Sequence, residues 1–317
     1  MSSAAPRHAT STDVRGRVAH AARLLGERAT AGEPLGPRTT YRVGGSAALF
    51  VAAADEAELA TVSAVIAESG VDVLVVGNGS NLLVPDGGYA GLAVALLSAF
   101  ADLQIDRDAG TISAGAAVAY PVLARQSAAA GLTGMEWAVG IPGSVGGAVA
   151  MNAGGHGAST SDRLLEARVL DLSTGMTRTA GPAELDLSYR HSNIGPREIV
   201  LGAVFACERG DPGAASAAVA SIVRWRREHQ PGGRNAGSVF TNPPGDSAGR
   251  LVDAAGLKGM RVRSAVVSEK HANFIQVDPD GSADDVLELV ELVRTAVAER
   301  TGVVLATELR VAGRRDR

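Results

Sequence analysis

From Gly131 to Gly155 the chain carries a single charged side chain, Glu136, among glycines and apolar residues. Within this stretch lies the loop Gly140-Ile-Pro-Gly-Ser-Val-Gly-Gly147, followed by Ala148-Val-Ala-Met-Asn152. A second glycine loop, Gly77-Asn-Gly-Ser-Asn81, directly follows the apolar run Val73–Val76, which reads as a buried strand. Consecutive backbone N–H groups in such turns form anion-binding nests, to which Ser80 and Asn81 can add side-chain donors. Glycine lets the backbone approach a phosphate closely, so two such loops suit a dinucleotide pyrophosphate. The uncharged stretch can also lie flat against a large planar group. Taken alone, each loop reads first as a structural turn; the pair points toward a ligand. Neither matches G-x-G-x-x-G opening a helix, nor GxxxxGK[ST], which leaves a Rossmann site and a P-loop ATPase unsupported.

The chain of 317 residues has room for two or three domains. Residues 1–12 read as a frayed tail, and Val14 to about Arg28 as a helix with Val18, Ala21, Ala22, Leu24 and Leu25 on one face. A strand at Ala48–Ala52, a helix capped by Asp55 and running to about Glu68, and the strand Val73–Val76 open a small α/β unit. From Leu92 to Val118 short apolar pieces alternate with turn residues, suggesting strands of a second unit. A helix Tyr120–Ala130 closed by Gly131 and strands Leu165–Asp171 and Ile199–Cys207 continue it. A polar break at 209–213 marks a boundary. Beyond it come helices Ala215–His229 and Ala248–Ala255, then Ala283–Arg300 with Val286, Leu287, Leu289, Leu292, Val293 and Val297 on one face, and a final strand Leu305–Val311.

Composition excludes several classes. Charged residues make up 20% and the net charge is −4, with no basic stripe, so nucleic-acid binding is disfavoured. The dense basic patches are Arg224, Arg226 and Arg227, and the terminal Arg314, Arg315 and Arg317; the first is compatible with an anionic small substrate. Aromatics are only 3%, which argues against an aromatic-lined sugar or single-strand surface. The lone Cys207 excludes an internal disulfide and a cysteine-based zinc site, and His156 and His271 lack metal-ligand company at i+3 or i+4, so no metal site is expected. Without a signal peptide or an apolar run of about 18 residues, the expectation is a cytoplasmic protein with no membrane insertion. A monomer is the default expectation.

Seven motifs occur in one order: TTYRVGG (39–45), VVGNGSNLLVPDGGYAG (75–91), GMEWAVGIPGSVGGAVAMNAGGHG (134–157), YRHS (189–192), AGSVFTNP (236–243), AGRLVDAAGLKG (248–259) and SEKHANFI (268–275). Together they resemble the UDP-N-acetylenolpyruvoylglucosamine reductase family, from about Pro37 to Gly313. The resemblance implies an α+β (mixed α/β) chain with the vanillyl-alcohol-oxidase-like (PCMH-type) FAD-binding fold and a C-terminal α+β substrate-binding domain. Residues 1–90 would form one FAD-binding subdomain, to which the C-terminal strand returns, 91–210 a second, and 211–317 the substrate domain. Also implied are non-covalent FAD, NADPH as reductant, and UDP-N-acetylglucosamine enolpyruvate as the substrate reduced to UDP-N-acetylmuramate in peptidoglycan synthesis. FAD would be held by Gly77, Asn78, Gly79, Ser80 and Asn81 and by Gly140, Ile141, Gly143, Ser144, Gly146, Gly147 and Ala148, with Asn152 at the edge. Few residues separate Ser192 from Ile199, so the chain resembles the shorter family form, without an extra substrate-tyrosine loop.

That chemistry adds hydride to a vinyl carbon and leaves carbanion character beside the carboxylate, so it needs a clamp for negative charge and a proton donor. The resemblance assigns the clamp to Arg190, whose fork can bind the carboxylate; the plain reading is a surface arginine paired with Asp186. It assigns the proton to Ser238, a poor acid that serves only toward a strongly basic centre; the plain reading is a loop serine. It assigns enol stabilisation to Glu308; the plain reading is a solvated strand edge shared with Arg310. Tyr189, Asn242 and Lys258 are further substrate-binding candidates. His271 reads as structural, and His156 stands where the family often has tyrosine. Thr241 and Ala306 stand where lysine and glutamate are usual, and Arg263-Ser264 replaces a small pair. Two rivals stay open: a related FAD-dependent oxidoreductase with another substrate, and a non-catalytic sensor of a nucleotide-sugar.

Overall fold

The computed structural model describes residues 11–313. Residues 1–10 of the expected tail and the terminal arginines lie outside the described residues; at 11 and 12 the chain is already helical. The first unit contains α1 (Ser11–Leu25) and α2 (Glu56–Ser69), with Asp55 Oδ1 accepting from Glu58 N as the N-cap. Its strands are β1 (Thr30–Ala31), β2 (Ala47–Ala53), β3 (Val73–Val75), β4 (Leu82–Leu83) and β5 (Tyr89–Leu96). The main sheet has the order β1-β2-β5-β3, with β5 parallel to both β2 and β3. Buried on both faces, β2 and β5 read as nearly continuous apolar runs, AALFVAA and YAGLAVAL. Strand β5 crosses the expected 90/91 boundary and lies between β2 and β3, so this unit extends to Leu96.

The second unit is a five-stranded antiparallel sheet. Its order is Met176–Ala180, Leu164–Asp171, Glu198–Ala206, β7 (Thr111–Gly115), β6 (Leu103–Asp106). One face carries α3 (Tyr120–Ala129), the short α4 (Val145–Ala150) and α5 (Pro212–His229), around Tyr120, Leu123, Val145, Val149 and Phe205. Tyr120 meets Trp137 and Phe205 at ring-centroid distances of 5.7 and 6.1 Å. The other face shares a core with the first unit through Leu170, Leu172, Ile199 and Leu201. Helix α5 differs from the sequence expectation. It follows the loop break yet packs Ala215 and Val219 into the second unit's core rather than the third's. The break is a turn before a helix capped by Asp211, not a separation of cores.

The third unit is the three-stranded meander Arg261–Val262, Ala265–Val267 and Ile275–Val277, covered by α6 (Ala248–Ala254) and α7 (Ala283–Thr301). The buried face of α7 is Val286, Leu289, Val290, Val293 and Val297; Leu292 is exposed, so the stripe is rotated from the expected one. Tyr41, Val43 and Leu83 of the first unit enter this core. The expected strand Leu305–Val311 is broken. Thr307 bridges Phe240 in the third unit, and only Arg310–Val311 pairs, in parallel, with β4 of the first. The chain crosses between units at Glu308.

Candidate active site

A cleft of ≈ 1790 Å³ runs between the units. Its walls include Gly77, Asn78, Gly79, Ser80 and Asn81, and Gly140, Ile141, Gly143, Ser144, Gly146, Gly147 and Ala148. The two loops meet face to face. A Cβ on Gly77 would lie 2.9 Å from Ser144 Oγ, and one on Gly143 3.3 Å from Ser80 Oγ, so a side chain at Gly77 would have to displace the Ser144 hydroxyl and one at Gly143 would crowd that of Ser80. Gly79 has φ +60° and its missing Cβ leaves room for the Arg38 carbonyl; Thr40 N donates to Gly79 O at 3.2 Å. The TTYRVGG motif therefore lies beneath the first loop. Among the described residues, no backbone N–H from Gly77 to Asn81, nor that of Gly143 or Ser144, has a protein acceptor. Those open donors, glycine-lined and facing a cleft, fit a pyrophosphate. The second loop does open a helix: Ser144 caps α4, its Oγ accepting from Gly147 N at 3.3 Å.

Arg190, Ser238 and Glu308 line the same cleft. Arg190 sits at φ +56° and its Nη2 donates to Gly154 O at 2.7 Å. Its Nε lies 2.9 Å from Glu308 Oε1, an ion pair whose N–H is not aligned on the oxygen. Arg190 does not pair with Asp186, which instead meets His191 at 3.4 Å. Glu308 is largely buried, and burial raises its carboxyl above the ordinary glutamate range, with Arg190 partly opposing. It is no solvated strand edge. Its N–H donates to Val239 O at 2.8 Å, which sets it beside Ser238. The Ser238 hydroxyl is half-buried and, among the described residues, has no protein partner.

The other candidates separate from this group. Asn152 is buried and does not line the cleft. Its Nδ2 donates to Ser188 O at 2.7 Å and its Oδ1 accepts from Ser161 N at 2.9 Å, so its amide holds the YRHS turn from behind. Asn81 also spends its side-chain donor internally, on Glu308 O at 2.9 Å. Tyr189, Asn242 and Lys258 lie off the cleft wall. Tyr189 is exposed with its ring 5.2 Å from the Arg190 guanidinium, and its hydroxyl accepts from Asn242 N at 3.4 Å. Lys258 pairs with Asp253 at 2.8 Å.

Asn273 and Gly154 were passed over by sequence reasoning, and Arg226 was named only within a basic patch compatible with an anionic substrate. Asn273, buried, holds both backbone groups of Phe240: its Nδ2 donates to the carbonyl at 2.8 Å and its Oδ1 accepts the N–H at 3.0 Å. It fixes the turn that carries Ser238, and its place in SEKHANFI was the available signal. Gly154 seats Arg190, since a Cβ there would lie 3.1 Å from Nη1. Of the basic patch on α5, Arg226 alone lines the cleft; its Nη1 donates to Gly140 O and its Nε to Gln230 Oε1 at 2.7 Å. His156 and Trp225 stand beside it, ring centroids 4.9 Å apart. His271 packs edge-on against Phe274 and accepts from Asn273 N at 3.2 Å, a structural place.

Fold and cleft define an FAD-binding oxidoreductase: residues 47–181 match the model of an FAD binding domain, and FAD is its cofactor. Residues 229–312 match the C-terminal domain of UDP-N-acetylenolpyruvoylglucosamine reductase. A reductase of that name from Rubrobacter xylanophilus is 42% identical over 283 residues, covering 89% of this chain and 94% of the relative. One from Acidiphilium cryptum is 44% identical over 281 residues, covering 88% and 90%. The crystal structure of the Thermus caldophilus reductase superposes with a TM-score of 0.76 at 36% identity, covering 90% of this chain and 98% of that one. The chain belongs to the UDP-N-acetylenolpyruvoylglucosamine reductase family.

Proposed function

We propose that the protein reduces UDP-N-acetylglucosamine enolpyruvate to UDP-N-acetylmuramate with electrons from NADPH, as a step of peptidoglycan synthesis in the cytoplasm. The observation that carries this reading is the convergence of Arg190, Ser238 and Glu308 on one cleft with the two glycine loops. When bound, FAD supplies hydride transfer to the vinyl carbon of the substrate. The chain's residues do the rest. Gly77–Asn81 hold the cofactor through open backbone N–H groups, and in the second loop, whose glycines give close approach, the open N–H groups of Gly143 and Ser144 add to them. Arg190, held by Gly154 O and Glu308, offers its remaining N–H groups to the substrate carboxylate and to the charge that grows beside it. Glu308, whose carboxyl is raised by burial and raised further by an incoming carboxylate, keeps its proton and donates it as a hydrogen bond to the enolate oxygen. Ser238 Oγ, free of internal acceptors, gives its proton to the carbon bearing the carboxylate, and the alkoxide left behind takes one proton back from solvent as the product leaves the cleft. Arg226 is the cleft cation nearest the second loop and suits the phosphates that both NADPH and the UDP-sugar bring.

The test is direct. FAD-loaded protein is reduced anaerobically with NADPH and mixed with UDP-N-acetylglucosamine enolpyruvate. Return of the oxidised flavin spectrum with formation of UDP-N-acetylmuramate is expected. Reduction by NADPH without that return would assign another acceptor, the outcome expected of a paralogue with a different substrate.

A further inference from the structure

We infer that Asn81 is a positioning residue that couples the cofactor loop to Glu308, rather than a side-chain ligand of the cofactor. The inference rests on the role proposed for Glu308. The last residue of the first glycine loop turns its amide away from any donor role in the nest: Nδ2 donates to Glu308 O at 2.9 Å. Its own carbonyl accepts from Arg310 N at 3.1 Å, so Asn81 grips the segment on both sides of Leu309. Immediately afterwards β4 begins, pairing Leu82 with Arg310 and Leu83 with Val311.

The location explains why such a grip is needed. Residues 305–311 do not form one continuous strand. Thr307 is bridged to Phe240 in the third unit and Arg310 to Leu82 in the first, so Glu308 occupies the gap where neither ladder fixes it. Its backbone is instead held by two single hydrogen bonds. The N–H goes to Val239 O, next to Ser238, and the carbonyl takes the Asn81 amide. Glu308 therefore sits between the serine turn and the pyrophosphate-facing loop, its backbone meeting the Val239 carbonyl on one side and the Asn81 side chain on the other. A shift in loop 77–81 passes through Asn81 to the carboxylate that meets Arg190. The backbone N–H groups of 77–81 remain open for the cofactor whatever the Asn81 side chain does.

The variants are Asn81→Asp, which keeps shape but presents an oxygen to the Glu308 carbonyl, and Asn81→Ala, which removes the contact; Glu308→Gln serves as reference. FAD retention is read from the free-flavin fluorescence that appears on dilution of the holoenzyme. Because Asn81 belongs to the cofactor loop, FAD retention and the NADPH half-reaction are measured first in both variants, and the diagnostic is a loss in reoxidation that exceeds any loss in either. Reoxidation by the enolpyruvyl substrate is expected to fall by at least about tenfold in Asn81→Asp, the worth of one hydrogen bond turned into a repulsion, and less in Asn81→Ala. The pH midpoint of that half-reaction should move in both variants, which a general loss of stability would not cause. Hydrogen exchange of the peptide spanning 305–312 gives a readout without turnover, with faster exchange at the Glu308 and Leu309 amides expected in both. Loss of FAD by tenfold with reoxidation unchanged would overturn the inference, as would unchanged exchange at 305–312. If Glu308→Gln itself leaves reoxidation untouched, the role of Glu308 fails while the exchange experiment still decides the Asn81 link.

Discussion

Replacing Arg190 by lysine keeps the charge and removes the fork. Arginine here has three engagements at once: Nη2 to Gly154 O at 2.7 Å, Nε to Glu308 at 2.9 Å, and the guanidinium 5.2 Å from the Tyr189 ring centroid. A lysine ammonium is a point donor that can satisfy the carbonyl or face the substrate, but not hold its direction by both anchors. The backbone is no obstacle, because both residues would bear the same φ of +56°. Loss of one charge-assisted hydrogen bond is worth about 1.5–3 kcal/mol, which is roughly 10- to 150-fold in rate. Stopped-flow absorbance of the flavin separates the two halves of the cycle. The NADPH half should change little, and substrate-driven reoxidation should slow by that factor. Equal rates in the lysine variant and the parent would refute the reasoning that the fork, rather than the charge, clamps the carboxylate.

Other outcomes can be set beside it. The role proposed for Glu308 requires its protonated form, and burial raises its carboxyl, so reoxidation should fall as pH climbs through a midpoint above the ordinary glutamate range; Glu308→Gln should flatten that limb, checked by a pH series of the same half-reaction. Gly77→Ala places a methyl 2.9 Å from Ser144 Oγ, which must move off its capping bond to Gly147 N beside the open loop donors, and FAD should dissociate about tenfold faster in a dilution assay. Gly154→Ala sets a Cβ 3.1 Å from Arg190 Nη1 and 2.7 Å from Ala158 O, so its reoxidation should resemble that of an arginine variant although the arginine is present. Asn273→Ala strands both backbone groups of buried Phe240, at a cost of about 1–3 kcal/mol each; denaturant unfolding should show the loss together with slower reoxidation.

Much of this site was legible because its signals are local. A strand ending in Gly77-Asn-Gly-Ser-Asn81 and a nearly uncharged glycine run mark close backbone approach without any knowledge of tertiary contacts. Helix α2 with its Asp55 cap, and the existence of α7, were equally readable from capping and period, although the buried stripe of α7 is rotated so that Val290 is inside and Leu292 outside. What escaped depends on distant partners. Alternation from Leu305 to Val311 looks like one strand, yet the partners of its two ends lie in different units, and no period reveals that. Helix α5 was misassigned for the same reason: its apolar face shows that it is buried, not against which core. Asn152 and Asn81 carry amides that suit a ligand by type, while their acceptors, Ser188 O and Glu308 O, are 36 and 227 residues away. The departures from the family pattern also gain meaning only in three dimensions. Thr241 N donates to Ala306 O at 2.9 Å, so two of the positions singled out as departures are neighbours, and both lie off the cleft wall. Arg263 pairs with Asp285 at 2.6 Å and with Glu288, on α7.

The central claim is that Ser238, freed of internal partners and set beside Glu308 and Arg190, protonates the reduced substrate. Ser238→Ala examined by anaerobic double-mixing at the flavin band tests it in one experiment. The claim predicts NADPH reduction at nearly the parent rate, followed by a reoxidation by UDP-N-acetylglucosamine enolpyruvate that is nearly abolished. Reoxidation at the parent rate, or equal damage to both halves, would contradict it.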